Sequence, residues 1–354
     1  MASERPRTAD IVDLRSDTVT LPTAAMYERM ACAPLGDDGR DGDPTVRELE
    51  ERAAGLTGKA AGLFVPSGTM GNLLAMLTHA GRGGDVLADG DAHLLNSEIS
   101  SVTMVAGLVP KIVPSRRGVM EPAALEAAIG ASRTSGRPGP ALIWMETTHN
   151  GAGGTVLPLA HMERVHALGT SNRIPVHVDG ARLFNAARAL GVAAAQIARH
   201  ADSVMFCLSK GLSAPIGSVL VGGRDFIARA RPFRRMLGGN MRQAGVAAAA
   251  GLVALETMID RLGDDHAAAR RLAQGLAWLD PALADPATVP TNILRIDVSG
   301  SGRDADAWAS GVRQQGIWVQ ASGAHQLRLV THRHIDAAAI ERTLAAFAAL
   351  AAEK

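Results

Sequence analysis

Cysteine is nearly absent from this chain: Cys32 and Cys207 are the only two in 354 residues. Two cysteines cannot build a disulfide framework, so a reducing compartment, the cytoplasm, is expected. Aromatic residues are scarce at 3%, with a single tyrosine, which argues against an all-β sandwich. No stretch of about 18 apolar residues occurs, so no membrane span is expected. The opening Met-Ala-Ser-Glu-Arg-Pro-Arg lacks the apolar centre of a secretory signal. Neither sign of charge dominates: 36 Lys and Arg face 35 Asp and Glu, for a net charge of +1. That balance leaves no nucleic-acid footprint. No metal site is expected either.

What is abundant is small and aliphatic. Hydrophobic residues make up 47% of the chain, enough for a large core of helices packed closely on a sheet. Short apolar runs at Gly62–Pro66, Asp85–Ala88, Val109–Val113, Ala141–Met145, Val176–Val178, Ser203–Cys207 and Ser218–Val221 read as strands. Helical patterns lie between several of them, including Val46–Leu56, a helix through Leu77, Pro122–Ile129 and Leu159–Gly169. This βαβ rhythm predicts a mostly parallel sheet with helices on both faces. A short helix is expected near Met26–Cys32, and Ser132–Pro140 reads as a surface loop. The alanine-rich Ala244–Leu262 predicts a long helix leaving the large domain. Beyond it come a helix at Asp264–Leu279, strands at Asn292–Val298 and Gln326–Val330, and a C-terminal helix from Asp336. The expected organisation is an N-terminal arm and loop (1–45), a large domain (46–255) and a small α+β domain (256–354).

Two polar residues stand out against this frame. Asp179 closes the run Val-His-Val-Asp, and Lys210 follows the run ending at Cys207. Both would emerge at the carboxyl edge of a parallel sheet, where open α/β sheets bind ligands. A lysine there can form a Schiff base, and a buried aspartate can hold a proton on a pyridine nitrogen. Those are the two groups that a protein supplies to pyridoxal 5′-phosphate (PLP). Ser67-Gly68-Thr69 opens a helix whose free N–H groups could take a phosphate, although an ordinary N-cap explains the same residues. His93 follows another strand and could stack on a flat ring. A structural hydrogen-bonder is the blander reading of that histidine, and Arg182 is a local ion-pair alternative for Asp179.

Blocks along almost the whole chain then carry a resemblance. They are Asp-Leu-Arg-Ser-Asp-Thr-Val-Thr (13–20), Gly-Asp-Asp (36–38) with Asp-Pro-Thr-Val (43–46), and Pro-Ser-Gly-Thr-Met-Gly-Asn (66–72). Glu-Thr-Thr-His-Asn (146–150) with Gly-Gly-Thr-Val-Leu-Pro (153–158), His-Val-Asp-Gly-Ala-Arg-Leu-Phe-Asn (177–185) and the Lys210 segment follow. Last come Arg-Arg-Met-Leu-Gly-Gly-Asn-Met-Arg-Gln-Ala-Gly (234–245) and Leu-Arg-Leu-Val-Thr-His (327–332). In this the chain resembles the low-specificity L-threonine aldolases, fold-type I PLP enzymes with the aspartate-aminotransferase fold.

The resemblance implies a role for each matching residue. Lys210 would bond the cofactor's aldehyde, Asp179 would pair with its ring nitrogen, and His93 would stack on it. Gly68 and Thr69 would hold its phosphate, and Arg235 and Arg242 would reach a phosphate partly across a subunit interface. Ser16, Arg182 and Arg328 would bind the substrate carboxylate, a task that suits the arginine fork. The base for the β-hydroxyl proton is left among His93, Glu98, His149 and an ordered water. The implied reaction is cleavage of L-β-hydroxy-α-amino acids to glycine and an aldehyde, by a homotetramer assembled as a dimer of dimers. Relatives often carry an aromatic residue in the loop where this chain has Gly39-Arg40-Asp41-Gly42, so Arg40 is expected to favour a polar or anionic β-substituent. Rival readings are another reaction on the same scaffold (β-elimination, transamination or racemisation) and, more distantly, a non-catalytic ligand-binding protein.

Overall fold

The computed structural model describes residues 11–134, 136 and 138–353. Residues 1–10 of the expected arm, and Ser135 and Arg137 of the expected loop, lie outside the described residues. The chain forms two compact units: Leu21–Asp260, and the described residues through Thr20 together with Arg261 onward. Residues 11–20 thus group with the C-terminal unit, whereas the loop before residue 46 belongs to the larger one.

The larger unit is built on a seven-stranded sheet. Its strands in chain order are β1 (Ala61–Val65), β2 (Asp85–Asp89), β3 (Val109–Val113), β4 (Pro140–Glu146), β5 (Val176–Asp179), β6 (Ser203–Cys207) and β7 (Ser218–Gly222). All seven coincide with the apolar runs to within a residue or two. The order across the sheet is β1-β7-β6-β5-β4-β2-β3. Only β7 runs antiparallel to its neighbours; the remaining pairs are parallel. Continuous Val, Leu, Ile and Met runs suit strands covered on both faces, and every residue of β2, β5, β6 and β7 is buried.

Helix ends are set by local chemistry. The helix Pro44–Thr57 begins with proline at its first position and is capped by Asp43. The Oδ1 of Asp43 accepts from the N–H groups of Thr45 (3.0 Å) and Val46 (3.1 Å). Its Oδ2 accepts from Gly36 (3.1 Å) and Gly245 (3.0 Å), so one buried carboxylate ties three segments together. The alanine-rich segment differs from expectation. Its helix stops at Thr257 and a second runs Leu262–Leu279, with the boundary of the larger unit between them at Asp260. The first packs against the helices Ala24–Ala31 and Pro44–Thr57 and is apolar nearly all round, as a largely buried helix is. Small side chains permit this closeness: a Cβ on Gly251 would come within 2.9 Å of Leu208.

A buried ion pair fixes the end of the helix Arg224–Met236. Arg234 is fully buried; it donates to Asp38 at 2.6 Å and to the carbonyl of Phe64 in β1 at 2.7 Å. Breaking such a pair leaves a charge without compensation. Asp38→Ala is therefore expected to lower unfolding stability by about 3–5 kcal/mol, read from the urea midpoint. A loss below about 1 kcal/mol would place this pair with weak surface bridges.

In the smaller unit, Val12–Asp13 pairs in parallel with Ile317–Trp318. A three-stranded antiparallel sheet has the order Ile293–Asp297, Gln326–Val330, Gln320–Ala321. The helices Leu262–Leu279, Ala305–Gln314 and Ala337–Ala352 contribute to its core, where Trp308 and Phe347 stack with ring centres 5.5 Å apart.

Candidate active site

Three parallel strands of the larger unit end in acids: Asp89 on β2, Glu146 on β4 and Asp179 on β5. Glu146 and Asp179 are register partners across the sheet. Lys210 follows β6 in the turn that leads back into β7. That turn is closed by bonds from the Ser213 N–H to the Lys210 carbonyl (2.8 Å) and from the Leu208 N–H to the Gly217 carbonyl (3.0 Å). Ser213 takes a φ of 64°, a backbone conformation that non-glycine residues seldom adopt.

Asp179 is 1% exposed. Its Oδ1 accepts from the Ala181 N–H at 3.0 Å and its Oδ2 from the Asn72 amide at 2.9 Å. The same Asn72 nitrogen donates to Glu98 at 3.1 Å. Burial first, then the Asp179 charge, push the Glu98 pKa up to about 7, against hydrogen bonds from Thr69 and Asn72 and the Lys210 charge. Beside it, His93 Nε2 lies 3.8 Å from Glu98 Oε1, with the imidazole about one-third exposed. The backbone N–H of His93 is held by Glu146 at 2.6 Å, and Glu146 also accepts from the Asn150 N–H at 2.7 Å. Burial raises the Glu146 pKa, and the Asp179 charge adds to it.

The helix Gly68–His79 starts at the same edge. Ser67 caps it by accepting from the Met70 N–H at 3.2 Å. A Cβ on Gly68 would sit 2.9 Å from Cys207 Sγ, so only glycine lets this helix start approach β6 so closely. Lys210, Asp179, Glu98, His93, Gly68 and Thr69 thus lie on elements that meet at one sheet edge. This donor set suits PLP: an amine, a buried carboxylate, a half-open imidazole and a helix N-terminus for an anion.

The other expected residues have these surroundings. His149 is buried with both ring nitrogens engaged: Nε2 with Asp89 at 2.6 Å, and Nδ1 accepting from the Ala152 N–H at 3.1 Å. Burial opposes its charge, but the Asp89 hydrogen bond and the neighbouring acids outweigh it and raise the pKa. This geometry gives His149 the work of a clamp on its loop. Arg182 is buried at the start of the helix Leu183–Leu190. Ser16 and Arg328 belong to the smaller unit, where Arg328 donates to the Arg15 carbonyl at 3.0 Å and Ser16 Oγ accepts from the Thr18 N–H at 3.3 Å. The expected carboxylate clamp is thus divided between the two units. Arg235 is exposed. Arg40 has 78% of its side chain exposed and, like Arg242, pairs with Asp37.

Asn72, Asp89, Glu146 and His177 were not singled out from the sequence. A signal existed for each: the two acids close apolar strands as Asp179 does, and Asn72 and His177 are polar residues inside apolar runs, where a partner is obligatory.

Residues 13–299 match the Beta-eliminating lyase family. The chain is 41% identical to a probable low-specificity L-threonine aldolase 2 of Arabidopsis thaliana, over 97% of this chain and 98% of that protein. It is 38% identical to the low specificity L-threonine aldolase of Escherichia coli (strain K12), over 92% of this chain and 95% of the relative. In fold it is similar to the threonine aldolase of Leishmania major, with a TM-score of 0.80 at 19% identity over 96% of this chain and 99% of that one. A putative L-allo-threonine aldolase of Listeria monocytogenes gives a TM-score of 0.75 at 18% identity over 92% of each chain. The family match and these relatives, over most of the chain, show that the chain belongs to the low-specificity L-threonine aldolase family, PLP-dependent carbon–carbon lyases of the aspartate-aminotransferase fold.

Proposed function

We propose that the chain cleaves a range of L-β-hydroxy-α-amino acids, threonine and allo-threonine among them, to glycine and an aldehyde. The carrying observation is the meeting of Asp179 and Glu98 on one Asn72 amide nitrogen, with the Lys210 charge close enough to act on Glu98. Lys210 would bond the cofactor's aldehyde, Asp179 its ring nitrogen, and Gly68 and Thr69 its phosphate, with His93 against the ring. Bound there, PLP supplies an electron sink for the bond broken at Cα.

The chain's own groups do the rest. Arg182, Ser16 and Arg328 grip the substrate carboxylate and so select the Cα–Cβ bond for cleavage. Glu98, with a pKa near 7, takes the β-hydroxyl proton as that bond breaks, with His93 beside it. The aldehyde leaves, and a proton returns to Cα. An acid whose pKa lies near the working pH suits both directions of transfer. Products identified from L-threonine, L-allo-threonine, phenylserine and serine test this reading. Glycine plus the matching aldehyde is expected; pyruvate and ammonia would favour β-elimination instead.

The working form is a homotetramer, a dimer of dimers, in which Arg235 and Arg242 reach a neighbour's phosphate. Exposed apolar side chains of the larger unit, among them Tyr27, Leu35, Ile216 and Met236, support burial against another copy. The compartment is the cytoplasm, supported by two unpaired cysteines. Among the described residues no helix is long and apolar enough to cross a membrane. Arg40 selects a polar or anionic β-substituent. Arg40→Ala is expected to lower the rate on hydroxyaspartate relative to threonine, and an unchanged ratio would remove Arg40 from specificity.

A further inference from the structure

A file of buried polar side chains starts at Asp179 and runs away from the site. Asn72 donates to Asp179 at 2.9 Å, and its carbonyl oxygen lies 3.3 Å from His177 Nε2. His177 Nδ1 lies 2.7 Å from Ser203 Oγ, and Ser203 Oγ lies 2.8 Å from His79 Nε2. Asn72, His177 and Ser203 are at most 1% exposed. Periodicity aligns them. His177 and Asp179 are two apart on β5 and share a face, while Asn72 and His79 are seven apart on the helix Gly68–His79 and share a stripe. Ser203 is the register partner of His177 on β6.

Proton positions follow link by link. A carboxylate only accepts, so the Asn72 amide turns its NH₂ to Asp179 and its oxygen to His177. His177 must then carry its proton on Nε2, which leaves Nδ1 bare to accept from the Ser203 hydroxyl. The one proton of Ser203 is now committed, so the short contact with His79 requires the proton on His79 Nε2. Every donor in the file points toward Asp179.

We propose that His79, Ser203, His177 and Asn72 form a one-way hydrogen-bond relay that positions and polarises Asp179 from the opposite edge of the sheet, with His79 as its outer positioning residue. This rests on the reading of Asp179 as partner of the cofactor's ring nitrogen. Aligned hydrogen bonds strengthen one another in a low-dielectric interior. Both imidazoles stay neutral: burial holds the His177 pKa well below its usual value and pushes that of His79 down to about 4. Neutral donors orient the Asp179 carboxylate without cancelling its charge, which is left for the ring nitrogen. The outer end is also fixed, because the His79 ring stacks on Phe226 with centres 4.3 Å apart. There it lines a cavity of about 530 Å³ with Lys59, His166, Arg199, Asp202 and Arg229.

The test reads histidine tautomers without cofactor and cofactor affinity with it. In ¹⁵N-histidine-labelled apoprotein, His177 and His79 are expected as neutral Nε2–H tautomers from about pH 6 to 8. Ser203→Ala, which removes one oxygen, should leave His177 on Nε2–H, still held by the Asn72 carbonyl, but shift the resonance of its Nδ1, which loses its donor. Ser203→Ala and His79→Leu should each weaken PLP binding on the order of 3-fold and shift the pH midpoint of the holoenzyme's visible band. His79→Gln keeps an N–H donor and should restore both. An Nδ1–H tautomer at His177 in the unaltered protein would overturn the relay. So would variants that melt earlier yet keep the wild-type His177 Nδ1 resonance, PLP affinity and band midpoint, which would mark the file as packing alone. If His79→Leu does not fold, Ser203→Ala carries both readouts. Failure of the unaltered protein to take PLP onto Lys210 would instead strike the proposed function, since the tautomers are read in its absence.

Discussion

Lys210→Ala is expected to lower kcat by on the order of 10⁴-fold or more, the scale on which removal of a covalent catalytic group shows in other enzymes. The expectation rests on position. The turn after β6 places Lys210 at the edge where β4 and β5 end in Glu146 and Asp179, and the Lys210 charge acts on Glu98. The loss should come with loss of the visible absorbance of the PLP-loaded protein while the thermal transition stays cooperative. Arginine at this position should not rescue, because its guanidinium remains protonated and is no nucleophile. Retention of a tenth of the activity in Lys210→Ala would remove covalent attachment from the account.

The second large effect belongs to Glu98. Glu98→Gln keeps shape and polarity but cannot accept a proton, so kcat should fall by about 10²–10⁴-fold. The acidic limb of the pH–rate profile, which the raised Glu98 pKa puts at about pH 7 as an expectation for the unaltered enzyme, should flatten. His149→Gln is the informative comparison: it breaks the bond to Asp89 and should cost stability without moving that limb. The reverse pattern would exchange the two roles.

Glu98 also links stability to pH. Its pKa rises from 4.5 to about 7 on folding, so between these values the folded protein binds more protons than the unfolded chain. Stability from this group is then greatest below pH 4.5 and falls as pH rises toward 7. Glu98→Gln should flatten the dependence over that window, as measured by urea midpoints of the cofactor-free protein.

The sheet was legible because its strands are apolar runs with little competing pattern; β1 to β7 lie where the sequence placed them. Asp179 and Lys210 were legible for the same reason, as polar residues closing such runs. The packing of the alanine-rich segment was not legible because helix propensity says nothing of environment: only the structure shows it against the helices Ala24–Ala31 and Pro44–Thr57. The surroundings of His149 were not legible, because a histidine beside a strand end suits a base or a clamp equally well, and Asp89, at its Nε2, lies sixty residues earlier. Asn72 was passed over inside a quoted motif because its importance is wholly tertiary. It joins Glu98 to Asp179 and His177 of β5, residues that lie 26 to 107 positions away along the chain.

The central claim is that one amine carries the cofactor at the acid-lined sheet edge. Borohydride reduction of the PLP-loaded protein, followed by peptide mass mapping, tests it most directly. The account predicts a single stable adduct, on the peptide containing Lys210, and its absence from Lys210→Ala. A protein that stays colourless with PLP, or an adduct confined to other lysines such as Lys59 or Lys111, would contradict it.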